Sequence, residues 1–132
     1  MPDPIWLKWI GLPHQIGADP NDGKAACCLR MAVHVLRNAG RQPPEDAVID
    51  RWVDLARGEQ WPLLERAFLD HCVPTQARDL WSVVLITNGP RKALGLGVVI
   101  PDDLLLFPHH RRGVMAAPLK LLRPLTHYNL RP

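Results

Sequence analysis

Apolar residues recur at helical spacing in the first half of the chain. Between about residues 25 and 39 they fall at i, i+3, i+4, i+7 and i+8, on one face of an amphipathic helix that Gly40 ends. The same spacing predicts a second helix over about residues 45–57 and a third over about residues 62–71. The segment 1–24 is rich in Gly, Pro and Asn-Asp-Gly turn residues, so it is predicted to be a loop.

The second half changes to short apolar runs bounded by turn residues. Runs at 82–87, 94–100 and 104–107 predict an antiparallel meander, and weaker strands are predicted near residues 113–116 and around Tyr128. Helices followed by strands predict an α+β fold in which the N-terminal helices pack on a small antiparallel β-meander. We therefore expect a single domain over residues 1–132, with a loop segment at 1–24, a helical part at 25–72, and the meander and C-terminal tail at 80–132.

The composition is that of an ordinary folded domain. The 132 residues are 47% hydrophobic and 22% charged, and no apolar run approaches the roughly 20 residues that span a bilayer. We expect no membrane span. The opening residues Met-Pro-Asp-Pro lack the basic and apolar regions of a signal peptide, which predicts synthesis in a cytoplasm.

The charge and the cysteines exclude several classes of function. The net charge is +3 and the pI about 9.0, but the basic residues are scattered along the chain, so nucleic-acid binding ranks last among the hypotheses. The three cysteines include an adjacent pair, Cys27 and Cys28, too close for ordinary disulfide geometry, and free thiols are expected. No Cys-x-x-Cys spacing indicates zinc, and neither a metal nor a cofactor is expected.

One stretch of the sequence resembles a known enzyme family. It contains Gly-Leu-Pro-His-Gln-Ile-Gly at 11–17, then Gly23, then Cys28 at the opening of a helix that ends in Gly40 with prolines just beyond. This order resembles the NlpC-type, papain-like cysteine peptidases of cell walls, most of all the short versions in bacteriophage tail gene clusters. The resemblance implies a papain-like fold and puts Cys28 in the place of the nucleophile.

The sequence departs from the family's pattern at positions that the family needs for catalysis. Aligning Gly97 with the glycine of the family's His-Val-Gly-Ile motif puts Gly95 where the general-base histidine belongs. Candidates for a relocated base are His14 in the loop before the helix and the adjacent His109 and His110 beyond the meander. The alternative interpretation of each is an ordinary histidine that is solvated or caps a turn and has no catalytic role. A fourth histidine at position 34 is about two helical turns from the cysteines, too far to take their proton.

Two main hypotheses follow. The first is a non-catalytic structural component of a bacteriophage tail or baseplate, assembled in the bacterial cytoplasm and located in the virion, that contacts other tail or baseplate proteins. Trp6 and Trp9 would then anchor the N-terminal segment on the body or on a partner subunit. The alternative is an active cysteine peptidase or amidase that cleaves peptidoglycan stem peptides, with Cys28 as nucleophile.

Overall fold

Three α-helices precede the sheet in the part of the chain that the computed structural model describes, which is residues 3–75, 79–87, 93–109, 111–121 and 125–130. The helices are α1 (Cys28–Asn38), α2 (Asp46–Arg57) and α3 (Trp61–Leu69). Short 3-10 helices lie at Ile5–Trp9, Pro20–Asp22 and Leu119–Leu121. The strands are β1 (Cys72–Thr75), β2 (Val83–Thr87), β3 (Ala93–Ile100), β4 (Leu104–His109), β5 (Gly113–Pro118) and β6 (Leu125–Leu130).

The described strands form one antiparallel sheet of six, in the order β1-β6-β2-β3-β4-β5. Strands β2 to β5 follow each other as neighbours, which confirms the predicted meander. The final strand, β6, returns across the sheet and inserts between β1 and β2. This leaves β1 and β5 as the two outer strands.

The predicted helices are confirmed, with shorter ends. The first begins at Cys28 rather than near residue 25, because Ala26 pairs with the preceding loop instead. The third ends at Leu69, and strand β1 follows it where the sequence analysis expected no strand. With four residues, one of them Pro74, β1 is too short to show an alternating pattern.

The main core lies between the helices and one face of the sheet. Helix α1 contributes the fully buried Met31 and Val35, and Trp9 of the first 3-10 helix packs into the same cluster. Trp52 of α2 and Phe68 of α3 meet edge to face, with their ring centroids 4.6 Å apart. A smaller apolar cluster is formed by Val84, Val99, Leu105, Phe107 and Leu119. The fold therefore holds the start of α1 deep in the domain.

Candidate functional site

The start of α1 is the region that the resemblance marks as an active site. Cys27 is the N-cap residue and Cys28 the first residue of the helix. The preceding loop crosses in front of them: the Ala26 N–H donates to the Pro13 carbonyl at 2.9 Å, and the Cys27 N–H donates to the Ala18 carbonyl at 3.0 Å. Loop and helix start are thus tied together by backbone hydrogen bonds.

Both thiols at this point are buried. Cys27 is 1% exposed and Cys28 3% exposed, and both belong to the main hydrophobic core. Neither forms a disulfide, which confirms the free thiols expected for this pair. A nucleophile must reach its substrate, so the burial of Cys28 leaves its sulfur without the open groove that a peptidase needs.

The two thiols differ sharply in acidity. The interaction with the Cys28 thiol outweighs burial and lowers the pKa of the Cys27 thiol to about 5, although the Cys27 side chain accepts no capping hydrogen bond from the first turn of α1. The same interaction, burial and the neighbouring Cys27 charge raise the pKa of Cys28 well above its ordinary value. The directions of the two shifts make Cys27 the more acidic thiol of the pair and Cys28 the less acidic one.

The acidity of Cys27 was not predicted from the sequence. Cys27 occupies the N-cap position, but its side chain accepts no backbone N–H group of the first helical turn, so no capping pattern points to it. The predicted helix, which begins near residue 25, also put Cys27 inside the helix.

Among the described residues, the groups that most strongly shift the pKa of Cys27 or Cys28 include no histidine. His14 lies in the loop opposite Ala26, and its Nε2 is buried without a hydrogen-bond partner. His109, at the end of β4, accepts the backbone N–H groups of Arg111 and Arg112 at its Nδ1, at 3.0 and 3.2 Å. His110 lies outside the described residues. Of the candidate bases, His109 therefore uses its Nδ1 as a hydrogen-bond acceptor within a turn.

Position 95 lies in β3, the strand that the resemblance predicts to carry the base. Gly95 is in β3 opposite Ile86 of β2, and the backbone of the next residue, Leu96, acts on the Cys28 thiol. The start of α1 therefore does face β3, but the residue at position 95 has no side chain to take a proton.

A separate polar cluster joins the second 3-10 helix to α1. The His34 Nε2 and Asp19 Oδ1 are 3.0 Å apart, and the same carboxylate oxygen accepts the Asn21 backbone N–H at 2.9 Å. Burial raises the pKa of Asp19, but the Asn21 N–H, the His34 ring and the charge of Arg30 together lower it below its ordinary value. The Trp9 indole donates to the Asn21 side chain at 3.3 Å. These contacts hold the loop onto the helix.

An apolar cleft opens between the helices and the sheet. Its cavity volume is only about 20 Å³, room for about one water molecule, and its walls include Leu29, Pro44, Trp52 and Phe68. All of its lining surface is apolar. Such a cleft lacks the polar groups that would orient a substrate for reaction.

The described residues contain no cluster of three or more His, Cys, Asp or Glu side chains that could hold a metal ion. Among these residues we also find no helix with both the length and the apolar character needed to cross a membrane.

Comparison with known proteins gives no relative from which to transfer a function. No protein-family model matches this chain, and no curated protein matches it at a significant level.

Proposed function

We propose that this protein is a non-catalytic structural component that works through protein–protein contacts, on a fold related to the NlpC-type cysteine peptidases. The single observation that carries the proposal is the burial of Cys28, which is 3% exposed and lies in the main hydrophobic core. A thiol nucleophile needs the opposite state, an accessible sulfur that gives its proton to a neighbouring base.

The surroundings of Cys28 support the same conclusion. The β3 backbone that acts on Cys28 is that of Leu96, the preceding residue is a glycine, and the apolar cleft nearby offers no polar group. His109, one of the candidate replacements, holds a turn through its Nδ1. Each of these features is compatible with a protein that binds partners and carries out no reaction.

The proposed setting is a bacteriophage tail or baseplate. It rests on the resemblance of residues 11–44 to the short NlpC-type proteins of phage tail gene clusters. The partners would then be other tail or baseplate proteins. Large apolar side chains at the surface, among them Leu7 and Ile10 next to the first 3-10 helix, are the kind of groups that such contacts bury.

Release of stem-peptide fragments from purified peptidoglycan tests the absence of catalysis. We expect the wild-type chain to release no more than buffer, and no more than its Cys27→Ser/Cys28→Ser variant. Fragment release that the double substitution abolishes would overturn the proposal. The tail setting is tested by mass spectrometry of purified virions of the encoding phage, in which the chain should be present and not confined to the lysate.

One observation favours a second candidate, a cysteine hydrolase. The lowered pKa of Cys27 gives a thiolate at neutral pH, which is the nucleophilic form of the thiol. In that case Cys27 rather than Cys28 would attack, and the loop 11–18 would first have to move away from it. The same fragment-release assay separates this candidate, because Cys27→Ser alone would then remove all activity.

A further inference from the structure

We draw no further inference here: the strongest candidate, the outer edge of β5 with the exposed Leu121 beyond it, carries nothing, because the loop residues Gly11 and Leu12 already bond to its Val114 and nothing in the structure shows what covers the rest.

Discussion

Two adjacent cysteines have different roles at the start of α1. Cys27 lies at the N-cap and Cys28 is the first residue of the helix, and their interaction lowers the pKa of Cys27 and raises the pKa of Cys28. The two thiols therefore titrate together, at the end of the helix where the dipole favours a negative charge. The shifts belong to the folded state, because the burial of the pair and its place at the helix start are fixed only on folding.

Replacing Cys27 by serine should flatten the pH dependence of stability. The folded pKa of Cys27 is lowered, so its contribution is present in full above the unfolded pKa and is lost as pH falls toward about 5. Between pH 8 and 5.5 the wild type should lose up to about 3 kcal/mol of unfolding free energy more than Cys27→Ser does. Serine is itself a good N-cap, so the variant should fold.

Urea denaturation at the two pH values measures this difference. The window ends at pH 8 because the raised pKa of Cys28 lowers stability at more alkaline pH. Cys72→Ser, which replaces the cysteine remote from the pair in the sequence, should keep the wild-type dependence. Equal pH dependence in wild type and Cys27→Ser would show that Cys27 does not hold the charge.

At the scale of elements, the N-terminal loop connects the start of α1 to β5, an outer strand of the sheet. One side of it bonds to Ala26 and Cys27, and the other side pairs with Val114 at the start of β5. Gly113 makes the second contact possible. It has a φ of +75°, and a Cβ there would lie 2.5 Å from the Leu12 carbonyl oxygen and 2.7 Å from that of Gly11.

Gly113→Ala should therefore be strongly destabilising, by about 2 to 4 kcal/mol, because it combines a left-handed backbone with a clash against main-chain atoms. Gly23→Ala is the matched control. Gly23 has nearly the same φ, +76°, but nothing lies within 4 Å of its added Cβ, so only the backbone penalty of about 1 kcal/mol applies. Chemical denaturation of both variants gives the comparison. Equal losses would mean that the loop does not rest on β5.

The helices and the meander could be predicted because each has a repeated spacing of apolar residues. Strand β1 could not, since its four residues show no alternation and include Pro74. The lowered pKa of Cys27 is due first to Cys28, and the direction of that effect depends on the burial of the pair in the folded domain, which no spacing of residues specifies. The hydrogen bonds of His109 could not be predicted either, because they depend on the geometry of a turn that the histidine itself helps to fix.

At the scale of the whole molecule, the domain closes its interior around the adjacent thiols. The core covers Cys27 and Cys28, which are 1% and 3% exposed. Large apolar side chains, among them Leu63 and Leu121, are instead exposed at the surface. An interior of this kind predicts that reagents reach the two thiols only when the chain unfolds.

The most direct test of the central claim is the rate at which iodoacetamide labels Cys27 and Cys28 in the native protein as a function of pH. Cys72→Ser removes the third thiol, and Cys27→Ser and Cys28→Ser in that background assign the signal. A non-catalytic interior predicts negligible labelling until denaturant unfolds the chain, despite the thiolate at Cys27, because reagent cannot reach either sulfur. Fast native labelling with an apparent pKa well below about 8.5 would contradict the account and identify an accessible, activated thiol.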